Sequence, residues 1–141
     1  MFVTAPDVVA DAAATLTRSR PWLPRIRDFG LPAAFVAQDG LERNRVPWNA
    51  FDTLFIGGST RWKLGAAATD LIGEAHARGK TVHMGRVNSR QRWVLAAERG
   101  VDSVDGTFLT YAPDANLARL HAWHDATHGH SKQPVIRRQA A

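Results

Sequence analysis

The sequence of 141 residues contains no cysteine. It therefore offers no disulfide framework and no thiolate metal site, a composition that fits a reducing compartment. Hydrophobic runs are short, and none approaches the roughly 18 residues that a membrane-spanning helix needs. The first helix-like segment, Val8–Ser19, carries Asp11 and Arg18 and lacks the long apolar core of a signal peptide. We therefore expect a soluble, cytoplasmic protein.

Two glycine-based nucleotide motifs are also missing. Neither GxGxxG nor GxxxxGK[ST] occurs, so the sequence suggests no dinucleotide site and no P-loop, and we expect no cofactor. Near the carboxyl terminus, His121, His124 and His128 share one face of a predicted helix, a spacing that can chelate a metal. Asp125 is the one acid beside them. A solvated histidine-rich tail is the simpler interpretation, and we expect no metal site.

The length and the charge bound the class of protein. The chain is long enough for one domain and much shorter than the roughly 250 residues of a complete eight-unit barrel. Lys and Arg number 18 against 13 Asp and Glu, and the excess is concentrated in Arg18–Arg27, in Arg86–Arg99 and in the tail. Such a charge is typical either of a nucleic-acid partner or of a solvated surface. We expect a domain over residues 1–127 and a flexible basic tail over 128–141.

Five short apolar segments, each ending in polar residues or glycine, alternate with stretches of helical periodicity. In two places a helix closed by a glycine, Gly79 or Gly100, leads directly into an apolar strand, which favours a parallel sheet. The pattern predicts an α/β fold of parallel βα repeats, either a half TIM-type barrel or an open parallel sheet with flanking helices. The five segments are Phe2–Asp7, Ala33–Gly40, Thr53–Thr60, Thr81–Ser89 and Val101–Thr107.

Capping residues predict where the helices begin. Asp7 is placed to accept the free N–H groups of a helix that starts near Val8. Ser59 or Thr60 can cap the helix after the third strand, and Ser89 can cap the one after the fourth. The segment Leu41–Asn49 reads as a polar loop.

Polar residues at the strand ends are the candidate functional residues, because the chemistry of parallel α/β folds lies at the carboxyl ends of the strands. Gly57 and Gly58 end the third strand, where backbone N–H groups can hold an anion or a carbonyl oxygen, or can simply form a tight turn. Gln38 and Asp39 end the second strand. An amide beside a carboxylate can read the edge of a nucleobase, and the alternative is an Asp-Gly turn.

The last two strands supply the remaining candidates. Asp102 and Asp105 lie three residues apart and so point to opposite faces of a strand. Asp105 is nearer the carboxyl end and is the better candidate for a nucleophile or base, or else a turn ligand. Arg86 and Asn88 can hold a phosphate or a ribose, or serve as ordinary loop residues. Asp7 is either a helix cap or a ligand contact.

Isolated aromatic and imidazole side chains are interpreted as structural. His76 and His83 stand alone in the sequence, and we expect them to pack or to cap. Each of the five tryptophans falls beside an apolar face, which favours core packing over base stacking.

Taken in order, the strand ends resemble those of the tRNA-guanine transglycosylase family, including its phage and bacterial relatives that act on DNA. Asp7 in FVTAPDV and Gln38 in FVAQDG resemble the residues with which that family recognises the purine. The pair Gly57 and Gly58 in FIGGSTRWKL resembles a loop that binds the base through its backbone. Asp105 in GVDSVDG resembles the nucleophile. The MGR of Met84–Arg86 lies where the family has an MGVG-like turn.

The resemblance implies a TIM-type barrel that exchanges a guanine-type base in tRNA or DNA, with Asp105 attacking the ribose. It covers only the second half of the family's barrel. The family's general-base Asp in a DSGG-like motif and its zinc-binding cysteines have no counterpart here. Three explanations of the missing half stay open: a shortened gene, a partner chain that supplies the rest, or a symmetric dimer that closes one barrel. Two alternatives stay open: a non-catalytic purine or nucleic-acid binder, and a phage-associated structural or interaction protein.

Overall fold

A computed structural model describes residues 1–128 of the chain. Its five strands form one curled, all-parallel sheet whose spatial order follows the chain order, a half-barrel. The predicted fold class is thus confirmed. The strands are β1 (Val3–Thr4), β2 (Ala33–Ala37), β3 (Thr53–Ile56), β4 (Thr81–Met84) and β5 (Ser103–Val104).

α-Helices connect the successive strands except β2 and β3, which are joined by the segment that contains two short 3-10 helices. The first two α-helices lie between β1 and β2, the next two between β3 and β4, and one between β4 and β5, and the last helix follows β5. This alternation follows from the right-handed crossover that joins neighbouring parallel strands. The helices are α1 (Ala12–Ser19), α2 (Trp22–Asp28), α3 (Thr60–Lys63), α4 (Ala66–Ala77), α5 (Arg90–Glu98) and α6 (Pro113–His128).

Alternation along the strands gives the sheet two different faces. Phe35, Leu54 and Val82 are paired in register and belong to the buried core that the helices cover, which we call the outer face. Their neighbours along the chain point the other way, to the inner face. Phe55 and His83 are paired in register there, and Phe2 packs against both rings. The inner face therefore begins with an aromatic cluster and continues into polar residues.

The predicted helix caps are mostly confirmed. Ser59 accepts a hydrogen bond from the Trp62 amide at the start of α3, and Ser89 does the same at the start of α5. Gly79 and Gly100 adopt φ values of +67° and +71°, which explains why glycine closes these two helices.

The first cap was predicted wrongly. Asp11, not Asp7, caps α1, and the helix begins at Ala12 because residues 8–11 form a separate turn. The hydroxyl of Thr15 holds this turn by accepting from the Val8 amide and donating to the Val8 carbonyl. Asp7 is thereby left at the end of β1.

The segment predicted as a polar loop contains two short 3-10 helices, Leu41–Arg43 and Trp48–Ala50. It is ordered because Leu41 and Trp48 are buried in the core. Within residues 1–128, no helix has the length and apolar character to cross a bilayer. The predicted basic tail lies outside the described residues, apart from His128 at the end of α6.

Candidate functional site

A cleft of about 370 Å³ opens on the inner face at the carboxyl ends of the strands. It brings together most of the residues that the sequence singled out, from the carboxyl ends of all five strands. Thr4, Val9, Val36, Phe55 and Gly85 complete its walls. The predicted residues that line it are Asp7, Gln38, Gly57, Gly58, Arg86 and Asp105.

Gln38 joins three segments at the base of this cleft. Its Oε1 accepts hydrogen bonds from the Ala10 and Gly58 amides, both at 2.9 Å, and its Nε2 donates to Asp7 Oδ2 at 2.5 Å. The side chain is buried, so these bonds form away from solvent. A carboxamide nitrogen carries two hydrogens. One N–H of Gln38 therefore remains for a ligand beside the Asp7 carboxylate.

The two glycines shape the cleft. A Cβ on Gly57 would lie 2.8 Å from the Val36 side chain, and Gly58 has φ +63° and no room beside Trp62. Both N–H groups already donate within the protein, that of Gly57 to the Ala37 carbonyl and that of Gly58 to Gln38. The glycine amides therefore organise the cleft through bonds within the protein, and neither N–H remains free for the ligand contact that the sequence predicted.

Asp39 lies next to the cleft but does not line it. Its two carboxylate oxygens accept from the amide and the hydroxyl of Ser59, each at 2.6 Å. Partial burial raises the pKa of Asp39, but these hydrogen bonds together outweigh the burial and hold its pKa below the ordinary value. The residue therefore fixes the turn that leads into α3.

Asn88 has a similar structural task between two other loops. Its Oδ1 accepts from the Thr107 amide at 2.7 Å, and its Nδ2 donates to the Thr107 hydroxyl. Asn88 is thus separate from the cleft, while its neighbour Arg86 lines it. Two residues that look equivalent in the sequence have different environments in the fold.

Asp105 is the carboxylate that faces the cleft. Its Oδ1 accepts from the Arg86 amide at 2.8 Å, and its Oδ2 lies 3.1 Å from His83 Nε2. Partial burial raises the pKa of Asp105, but the hydrogen bonds from Arg86 and His83 and the nearby positive charge of Lys63 leave it below the usual value. About half of the side chain is exposed. Asp105 is therefore ionised at neutral pH and accessible to a ligand.

Asp102 points elsewhere, as the sequence predicted for residues three apart on a strand. It accepts from the Val82 amide at 2.7 Å and lies 3.2 Å from His76 Nε2. These contacts join β4, β5 and α4 on the side away from the cleft. The assignment of Asp105 rather than Asp102 to the cleft follows from this difference.

Lys63 and Arg86 add positive charge at the edge of the cleft that carries Asp105. Lys63 is buried, and its Nζ donates to the Gly85 carbonyl. Burial, together with repulsion from Arg86 and Arg92, lowers the pKa of Lys63 to about 8. Arg86 adopts φ +59°, a conformation uncommon for a residue with a side chain, and its guanidinium donates to the Gly58 carbonyl. The Gly85–Arg86 turn is therefore held from both sides.

Two residues that help to order the edge of the cleft were not predicted from the sequence, Lys63 and His83. The burial of Lys63 depends on how α3 packs against the end of β4, which no local pattern reports. His83 was interpreted as a packing residue. The alternation in TVHM does place it on the face of Phe55, and the register of β4 with β5 sets it opposite Ser103, next to Asp105.

A larger depression of about 550 Å³ lies beside the loop of residues 44–50, against Glu74 and Arg78 of α4. It contains none of the predicted site residues, and Arg78 there is paired with Glu74 and stacked on Trp48. Within residues 1–128 no group of three or more His, Asp or Glu side chains is arranged to hold a metal ion. The cleft at Asp105 is therefore the stronger candidate.

Comparisons with protein-family models, with curated proteins and with solved structures found no match to this chain. The functional interpretation accordingly depends on the geometry of the cleft and on the resemblance of its strand-end motifs.

Proposed function

We propose that the cleft binds a guanine-type base of tRNA or DNA and that Asp105 exchanges it. The observation that carries this proposal is the position of Asp105. An ionised, half-exposed carboxylate borders the same cleft as Gln38 and Asp7, which offer a donor and an acceptor to the edge of a base. The cleft volume falls in the range of about 300–1,000 Å³ typical of small-molecule sites.

The chemistry follows from that arrangement. An Asp105 oxygen forms a bond to the ribose C1′ while the bond from C1′ to the base nitrogen breaks, and the electron pair leaves with the base. An incoming base then attacks C1′, and the carboxylate departs with the electron pair of its ester bond. The base that leaves takes a proton from solvent and the base that enters gives one up, so protons balance over the exchange.

Radiolabelled guanine tests this activity directly. Wild-type protein is incubated with labelled guanine and either unmodified tRNA or duplex DNA, and incorporation is counted. Asp105→Ala is expected to abolish incorporation, whereas Asp102→Asn, whose carboxylate lies away from the cleft, is expected to retain it. Incorporation that survives Asp105→Ala rejects Asp105 as the nucleophile.

A non-catalytic base binder is the second candidate. It is favoured by the lack of a counterpart to the family's general-base Asp in this sequence, because binding a base needs no such group whereas exchange is slowed without one. This function predicts binding of a purine or polynucleotide without turnover, weakened by salt in proportion to the phosphates contacted. A structural or interaction role predicts neither binding nor turnover.

The edges of the sheet support a further proposal, which concerns a partner chain. Among residues 1–128, β1 and β5 pair with no further strand at their outer edges, and parallel sheets rarely leave edges and faces uncovered. We propose that a second copy closes the barrel, with β1 of each chain beside β5 of the other. Exposed apolar side chains flank both edges. They are Val3, Trp22, Phe29 and Leu31, which line one depression together with Thr4 of β1, and Leu109, which lines another together with Val104 of β5.

The absence of native cysteine makes this arrangement simple to test. In a Thr4→Cys, Ser103→Cys double variant, mild oxidation is expected to link two chains through the paired edges. Thr4→Cys alone is the control, because the two copies of Thr4 lie on opposite sides of the closed barrel. A monomeric mass in solution together with no cross-linking contradicts the dimer.

A further inference from the structure

His83 is held in a single orientation behind Asp105. Its Nε2 lies 3.1 Å from Asp105 Oδ2, and its Nδ1 lies 2.8 Å from the hydroxyl oxygen of Ser103. Its ring packs against Phe2 and Phe55, with centroids 5.1 and 4.7 Å apart. The side chain is about one-tenth exposed. Both ring nitrogens therefore have a partner, and two aromatic rings pack against the imidazole.

The direction of the hydrogen bond follows from the charge of Asp105. An ionised carboxylate only accepts, so the proton between the two residues belongs to His83 Nε2. The same N–H is present in the neutral tautomer, in which Ser103 donates to Nδ1, and in the imidazolium, in which Nδ1 donates to Ser103. His83 thus donates to Asp105 in either charge state.

We propose that His83 is a positioning residue for base exchange at Asp105. This inference rests on the proposed function. The Arg86 amide binds one carboxylate oxygen and His83 binds the other, so the two donors fix the plane of the carboxylate beneath the cleft. A fixed nucleophile attacks C1′ without first losing rotational freedom.

The same donors act when the ester is broken. As the incoming base forms its bond to C1′, the bond from C1′ to the Asp105 oxygen breaks and negative charge returns to the carboxylate. Hydrogen bonds that are already in place stabilise that charge as it develops. His83 is therefore expected to affect the rate of exchange far more than the binding of the base, since it does not line the cleft.

Two substitutions of His83 separate the effect of its hydrogen bond to Asp105 from the effect of its packing. His83→Gln keeps an N–H near the position of Nε2 and is expected to exchange guanine at within about threefold of the wild-type kcat. His83→Phe keeps the packing against Phe2 and Phe55 but removes the donor, and its kcat is expected to fall by about 10- to 100-fold with an unchanged KM for the base. His76→Gln, which changes a histidine paired with Asp102 outside the cleft, is the control and should keep the wild-type rate.

Ser103→Ala provides a second variant that leaves the aromatic packing intact. It removes the hydrogen-bond partner of Nδ1 and is expected to lower kcat by about three- to tenfold, with an unchanged thermal unfolding midpoint. A wild-type kcat in both His83→Phe and Ser103→Ala overturns the role of His83 and leaves the proposed function standing. A His83→Gln variant whose kcat is as low as that of His83→Phe also overturns the role of His83 and leaves the proposed function standing. Exchange absent from the wild-type protein removes the proposed function and this inference together.

Discussion

Lys63 Nζ donates a hydrogen bond to the carbonyl oxygen of Gly85, which fixes a buried ammonium group directly beneath the turn that carries Arg86. A buried cation is costly unless it is paired, and here its environment includes two further cations, Arg86 and Arg92. The contact therefore orders the edge of the cleft at the expense of stability. This balance leads to a measurable dependence on pH.

Unfolding free energy should rise between pH 8 and pH 10.5 because of Lys63. In that interval the folded protein has released a proton that the unfolded chain still holds, so raising the pH favours the folded state. The gain is about 3 kcal/mol at most. Urea denaturation of wild-type protein and Lys63→Met across this range measures it. A wild-type curve parallel to that of the variant contradicts the buried charge.

Gly58→Ala is expected to destabilise the fold by about 1–3 kcal/mol. Its φ of +63° is strained for alanine, and the new Cβ would lie 2.5 Å from the Trp62 ring. Gly73→Ala is the matched control, since it lies inside α4 with open space at its Cβ, and it should stabilise by about 0.5–1 kcal/mol. Thermal unfolding of both variants measures these changes in stability. Equal changes of the same sign in the two variants would contradict the geometry described for Gly58.

Asp39→Asn should lower stability by about 1–2 kcal/mol at neutral pH without reducing affinity for a base. The carboxylate accepts two short hydrogen bonds from Ser59 and lies outside the cleft. Because the pKa of Asp39 is depressed in the folded state, its contribution is complete above pH 4 and is lost as the pH falls through the folded value. Denaturation at pH 7 and at pH 3 should show the difference between wild type and variant shrinking. A constant difference, or a loss of base binding, contradicts the role of Asp39 in fixing the turn before α3.

The fold could be predicted because its signals are local. Gly79 and Gly100 mark the ends of α4 and α5, and Ser59 and Ser89 mark the starts of α3 and α5, wherever the rest of the chain lies. Asp7 failed as a cap because residues 8–11 form a separate turn, which delays the start of α1 and leaves Asp11 to cap it.

The site could be predicted only in outline, because position at a strand end does not determine which way a side chain turns. Asp39 and Asn88 satisfy neighbouring backbone groups, whereas Gln38 and Asp105 face the cleft. His83 was missed because its role depends on the pairing of β4 with β5, a relationship between residues about twenty positions apart in the chain.

The central claim is that the cleft between Gln38, Gly58 and Asp105 holds a purine base. Titration of ¹⁵N-labelled protein with guanosine, followed through backbone amide resonances, tests it most directly because it requires no turnover. We expect saturable shifts confined to the cleft, at Gln38, Gly58, Arg86 and Asp105. An absence of shifts, or shifts centred on the loop of residues 44–50, would contradict the claim.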